Sequence, residues 1–248
     1  MMLTRDAFLD GKLQITQPAG GYRAATDPVF LAAACPAKGA ETVLELGCGA
    51  GVAALCLMRR VSGVLATGVE VQPEYASLAR QNAQANRLPL TVVEADIAAL
   101  PGDLRERNFD HVIFNPPFFE GGHVVGPTDA GREMAHVESN TLAQWCDVAL
   151  RRLAPKGTVT VIQRAERLGD ILAGLGPRVG GVKILPMAAR EGRAAGRVMV
   201  QAKKSSKAPL QILPPFLVHD GALHLTDGDD FSAAARAVLR DGGSLPLG

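Results

Sequence analysis

With 248 residues, 47% apolar and 21% charged, the chain is long enough to bury one substantial, mainly aliphatic core and too apolar to be disordered or fibrous. A net charge of +1 excludes binding to polyanions through overall charge, so any contact with nucleic acid must come from a local cluster of Lys and Arg. The N-terminus MMLTRDAFLDGK lacks the apolar core of a signal peptide, and Cys35, Cys48, Cys56 and Cys146 form no CxxC pair or metal-type spacing, so a cytoplasmic protein with free thiols and no metal is expected.

FLDGKLQI (8–15) sets Asp-Gly between alternating residues and reads as a hairpin turn. From Thr42 to Arg164 short β-branched runs alternate with helical stretches, the pattern of βαβ units in a parallel sheet. Strands are expected at 42–46, 64–69, 90–95, 110–114 and 158–163, and helices at 52–60, 74–86 and 141–153, with Gly157 as the stop signal of the last helix. Runs 182–187 and 197–203 flank AAREGRAAG and predict an antiparallel pair with a mobile basic loop, closing one sheet edge. APKG (154–157) and KKSSKAP (203–209) read as turns, and Asp220-Gly221 in LVHDGALHL (217–225) as a second hairpin. No boundary splits the chain: residues 1–38 form a hairpin and helix, 39–207 the core, and 208–248 a second hairpin and helix of one domain.

The first strand runs into ELGCGAG, with Gly47, Gly49 and Gly51 ahead of a helix. Glycines there allow a tight turn and close approach of a ligand to the backbone. A dinucleotide fingerprint would place its third glycine at Val52, so GxGxG favours a nucleoside over a pyrophosphate and disfavours a nicotinamide-dependent oxidoreductase. Glu45, at the carboxyl end of the strand, would repel a diphosphate but suits the ammonium of an amino-acid moiety, directly or through water. Glu70, roughly 20 residues beyond the glycines, is placed to accept from two ribose hydroxyls. Asp96 can take the exocyclic amine of an adenine while Ile97 packs on its ring. Each acid alone is an ordinary strand-end residue; at the ends of three successive strands they define one crevice.

FNPPFF (114–119) follows the fourth strand. Pro116 and Pro117 have no amide hydrogen, so the turn is stiff and leaves the Pro116 carbonyl outside any ladder, beside the side-chain carbonyl of Asn115. Two neutral acceptors match the two hydrogens of a planar amine, drawing its nitrogen toward a tetrahedral shape and aiming the lone pair at an electrophile. No histidine base is needed, and Phe118 supplies a stacking face.

ELGCGAG with Glu70, Asp96 and NPPF resembles the class I S-adenosylmethionine-dependent methyltransferases that modify amino nitrogens. GYRAATDPVFLAA (21–33), REMAHVE (132–138) and the overall length narrow the resemblance to the bacterial tRNA adenine-N6 methyltransferases, which act beside the anticodon of a valine tRNA. The resemblance implies a Rossmann-like α/β fold: a mostly parallel seven-stranded sheet with an antiparallel last pair, plus an N-terminal hairpin. It implies S-adenosylmethionine (AdoMet) as donor, bound by Glu45, Gly47, Cys48, Gly49, Gly51, Glu70, Val71, Asp96, Ile97 and Asn115, with Asn115, Pro116, Pro117 and Phe118 holding the target base. Thr26 and Asp27 would either cap the methionine end of the donor or form a plain helix cap. Glu45 stands where the family usually has aspartate. A protein-glutamine or rRNA amino-group methyltransferase is the alternative, although the glutamine enzymes generally carry NPPY and an added helical domain.

For tRNA as partner, seven basic residues from Lys183 to Lys207 (Lys183, Arg190, Arg193, Arg197, Lys203, Lys204, Lys207) stand against Glu191 alone. They read as a phosphate-contacting cluster or as a solvated hairpin. Arg132 and His136, four apart, read as phosphate contacts or as part of a surface helix. Trp145 is expected in the core, and the protein as a monomer away from membranes.

Overall fold

The computed structural model describes residues 2–117, 140–221 and 230–247. Phe118, Arg132, His136 and the second half of the 217–225 hairpin lie outside them.

Strands β1 (Leu3–Phe8) and β2 (Leu13–Pro18) form an antiparallel hairpin whose connection passes Asp10 and Gly11 at positive φ. Helix α1 (Asp27–Ala34) follows. Then come β3 (Thr42–Leu46), α2 (Val52–Arg60), β4 (Leu65–Glu70), α3 (Pro73–Ala85), β5 (Thr91–Glu94), α4 (Gly102–Glu106), β6 (Phe109–Phe114), α5 (Leu142–Arg152) and β7 (Leu153–Arg164). The chain continues through α6 (Leu168–Leu175), β8 (Val179–Ala188), β9 (Ala195–Lys204), two-residue strands β10 (Gln211–Ile212) and β11 (Phe216–Leu217), and α7 (Ala233–Leu239).

The main sheet runs β10-β8-β9-β7-β6-β3-β4-β5, with β11 also on β8. Strands β3 to β7 are mutually parallel, and β9 is antiparallel to both β7 and β8. The sheet is therefore mostly parallel and Rossmann-like, with seven long or medium strands and two short additions beyond β8. From β3 the chain moves outward through β4 and β5, then returns to β6 on the other side of β3. That reversal opens a crevice at the carboxyl ends of β3 and β6.

Both faces of the sheet are covered, which is why its strands read as apolar runs. Val112 and Phe114 of β6 enter the core beneath α5, whereas Ile113 between them enters the core shared with α1, α2 and the hairpin. Side-chain amides tie that hairpin to α3. Asn86 exchanges hydrogen bonds with the backbone of Gln14 (3.0 and 2.8 Å), and Asn82 does the same with Thr16 (2.8 and 2.9 Å). Four residues apart on one helix face, the two amides imitate a neighbouring strand and satisfy the free edge of β2.

Three local expectations change. Helix α5 ends because Leu153 turns extended (φ −73°, ψ 136°), not at Gly157, which lies inside β7. A Cβ on Gly157 would come within 2.9 Å of the Asp110 carbonyl, so this glycine serves close strand packing. APKG is likewise part of β7, with Lys156 at φ 66°. The β8–β9 ladder reaches Ala188 and Ala195, which shortens the basic loop to the residues between them, and Arg190 of that loop forms an ion pair with Asp230. All four cysteines are buried and free, and among the described residues no helix is long and apolar enough to cross a membrane.

Candidate active site

The turn after β3 holds Gly47, Gly49 and Gly51 at φ 64°, 55° and 85°, left-handed values that a side chain would strain. The Cys48 amide donates to the Val69 carbonyl (2.9 Å), and Glu70 spans the turn: Oε2 accepts from the Gly49 amide at 2.8 Å and Oε1 from Gln72 at 2.9 Å. Burial pushes the Glu70 carboxyl above its ordinary range against those backbone bonds. Gly47 is also required by packing, since a Cβ there would stand 2.5 Å from Cη2 of Trp145. The indole is in the core, stacked on Phe114 with centroids 6.0 Å apart, and so forms the floor of the turn.

Glu45 is 5% exposed, and its Oε2 accepts from the Ala54 amide at 2.8 Å. Ala54 is in the first turn of α2, where amides lack intrahelical partners, and the N-cap Gly51 has no side chain to serve them. A strand-end glutamate thus caps the helix that follows it. Burial raises its carboxyl to about 8, the Ala54 bond opposes this, and the nearby Glu70 charge adds to it. Asp96 accepts from Ala98 (2.9 Å) and Asn140 (2.8 Å) through Oδ1 at the end of β5. Ile97 beside it is buried, while Val71, just past Glu70, is exposed.

At the end of β6 the side-chain oxygen of Asn115 is buried and has no hydrogen-bond partner among the described residues. An acceptor in that condition costs about 1–3 kcal/mol. The next carbonyl, Pro116, accepts from Nε2 of the buried Gln163 at 3.2 Å, and Gln163 is itself fixed by the Arg164 amide at 2.8 Å.

Asn115, Glu45 and Gly47 line one cleft with Gln17, Tyr22 and Tyr75. A left-handed glycine cradle, a buried carboxyl suited to a cation and an unsatisfied amide oxygen fit a ligand joining an amino acid to a nucleoside. Gln17, Tyr22 and Tyr75 carry no motif of their own. Their signal is the GYR stretch, which folds back because Gln17 brackets Ala24 and the Tyr75 hydroxyl donates to the Tyr22 carbonyl at 2.8 Å.

Other candidates are placed differently. The Thr26 side chain makes no capping hydrogen bond, and Asp27 is paired with Arg197 at 2.8 Å. Arg190, Arg193 and Arg197 lie at the ligand end of the sheet, because Arg197 pairs with Arg164 at the end of β7. Lys203 pairs with Thr158 at the opposite end, about 20 Å away along β9. The basic run is therefore two separate groups, and Lys204 is turned inward to the Leu153 carbonyl (2.6 Å).

Residues 26–173 match the methyltransferase small domain family. The chain is similar to a tRNA1(Val) (adenine(37)-N6)-methyltransferase of Shewanella baltica (strain OS195), 31% identical over 202 residues covering 78% of this chain and 82% of the relative. A Porphyromonas gingivalis (strain W83) relative of the same name is 30% identical over 175 residues, 67% and 68% of the two chains. A crystal structure described as a predicted O-methyltransferase from Agrobacterium tumefaciens superposes with TM-score 0.71 and 25% identity over 89% of this chain and 98% of that one.

Proposed function

The chain belongs to the methyltransferase small domain family, and from that premise we propose that it moves the methyl group of AdoMet to the exocyclic N6 amine of an adenosine in tRNA, beside the anticodon. The observation that carries this reading is the buried Asn115 oxygen at the end of β6, without a partner among the described residues and in the same cleft as Glu45. The names of the relatives supply the substrate class.

AdoMet supplies an electrophilic methyl on a sulfonium. Glu45 keeps one oxygen on Ala54 and offers the other to the ammonium. Glu70, already holding the turn, accepts from the ribose hydroxyls with its remaining lone pairs. Asp96 takes the donor adenine amine, with Val71 and Ile97 on either side of the ring, and the turn from Gly47 through Cys48 to Gly51 cradles the donor. Asn115 and the Pro116 carbonyl accept the two hydrogens of the target amine, and Pro117 and Phe118 complete that base site. A hydroxyl would bring only one hydrogen to these two acceptors, so they favour N- over O-methylation. Arg193 and its neighbours face the tRNA phosphates. The whole chain, hairpin and C-terminal segment included, acts as one monomeric domain.

The test uses tRNA from a strain lacking this protein, incubated with the enzyme and labelled AdoMet and digested to nucleosides. Label in N6-methyladenosine supports the reading. Label confined to another nucleoside, or transferred only to protein, overturns it.

A further inference from the structure

The segment joining β2 to α1 brings Tyr22 to the cleft, where it is among the lining side chains. Its backbone is held on both sides: the Tyr22 carbonyl accepts from Tyr75, and Gln17 donates to the Ala24 carbonyl while accepting from the Ala24 amide. Yet the residue remains 49% exposed, the largest side chain left uncovered among the described residues of the cleft. Its ring edge, Cε1, lies 3.8 Å from the point a Cβ on Gly49 would occupy, so the ring reaches the middle of the glycine turn. The side chain therefore shares the cleft with Glu45 and reaches the turn whose Gly49 amide is held by Glu70.

We propose that the Tyr22 ring rests against the sulfonium of the donor and discriminates the charged donor from its neutral product, S-adenosylhomocysteine (AdoHcy). This rests on the assignment of Glu45 to the ammonium and Glu70 to the ribose. The sulfur of AdoMet is bonded both to the methionine chain and to the ribose, so a side chain that shares the cleft with Glu45 and reaches the turn held by Glu70 is placed to meet the sulfur. An aromatic face attracts a cation electrostatically and a neutral thioether far less. In the reaction the amine lone pair forms the N–CH₃ bond, the S–CH₃ pair stays on sulfur, and a proton leaves nitrogen for water. The attraction holds the donor before transfer and is absent after it, which favours exchange of product for fresh donor.

The test compares wild type, Tyr22→Phe and Tyr22→Leu by calorimetry with AdoMet and with AdoHcy, no turnover being required. Tyr22→Leu should weaken AdoMet about three- to thirtyfold while AdoHcy shifts by less than about twofold. Tyr22→Phe should keep the wild-type ratio. Melting temperature and the emission of Trp145, the single tryptophan, check that each variant is folded. Equal weakening of both ligands by Tyr22→Leu would reduce the ring to packing and overturn the proposal. Loss of the ratio in Tyr22→Phe would overturn it in favour of the phenol oxygen. Wild-type protein that binds neither ligand removes the Glu45 and Glu70 assignments as well, an outcome distinct from a changed ratio.

Discussion

Replacing Glu45 with Gln separates what the cleft costs the fold from what it gives the ligand. The side chain is buried at 5% exposure, and its carboxyl is raised from the ordinary 4.5 to about 8. A carboxyl raised in the folded state stabilises less as it ionises: its contribution is fully favourable below the unfolded value and is lost as pH climbs through 8. At roughly 1.4 kcal/mol per tenfold, an ionised Glu45 costs the empty protein about 5 kcal/mol above pH 8. Glutamine keeps an oxygen for the Ala54 amide and carries no charge. Glu45→Gln should melt close to wild type at pH 5 and some 10–20 °C higher at pH 9, given about 2–4 °C per kcal/mol in a domain of this size. Donor affinity should move the other way, weakening about ten- to hundredfold, since a charge-assisted hydrogen bond contributes roughly 1.5–3 kcal/mol. Wild type should also release most of a proton on binding AdoMet at pH 7, seen as a dependence of binding heat on buffer ionisation enthalpy. Thermal melts across pH 5–9 with calorimetry of AdoMet decide the matter. A variant no more stable than wild type at pH 9, or one that binds AdoMet as tightly, refutes the reasoning.

Gln163→Leu strands the Pro116 carbonyl and the Arg164 amide, so stability should fall by about 1–3 kcal/mol in denaturant titration; kcat should drop while AdoMet affinity is kept, and an unchanged kcat would deny Gln163 any part in positioning the turn. Arg193→Ala should lower the salt slope of tRNA binding by about 0.7–0.9, whereas Lys203→Ala, at the far end of β9, should leave it alone; equal slopes for the two would undo the placement of the tRNA. The Thr42 amide and hydroxyl hold the Asp110 carboxyl below its ordinary value. That stabilisation is present above pH 4 and lost as pH falls through the lowered value, so Asp110→Asn should unfold with a shallower acid limb, and an identical limb would contradict the pair.

Strand β3 and helix α2 match their expected bounds because the signals there are local: a buried β-branched run, then glycines, then apolar residues at helical spacing. Part of the cleft was legible for the same reason, since Glu45, Gly47 and Cys48 line it and stand at the end of β3 or in the turn after it. What escaped depends on distant partners. Gln163 reads as one more strand residue until Pro116 is brought to it. Asn82 and Asn86 look like helix surface until β2 lies beside them. Gly157 suggested a helix stop because a glycine reveals that a Cβ is excluded but not by what; here the excluding atom is the Asp110 carbonyl on the neighbouring strand. The basic run divides in a similar way, because nearness in sequence becomes distance along the sheet.

The most direct measurement is methyl transfer by Asn115→Ala alongside its affinity for AdoMet, on tRNA lacking the modification. The account predicts a dissociation constant within about twofold of wild type and a single-turnover rate lower by a hundredfold or more, on the order of what removal of one positioned polar group costs elsewhere. A variant that methylates within a few-fold of wild type would show that the unpartnered oxygen at the end of β6 does not hold the amine.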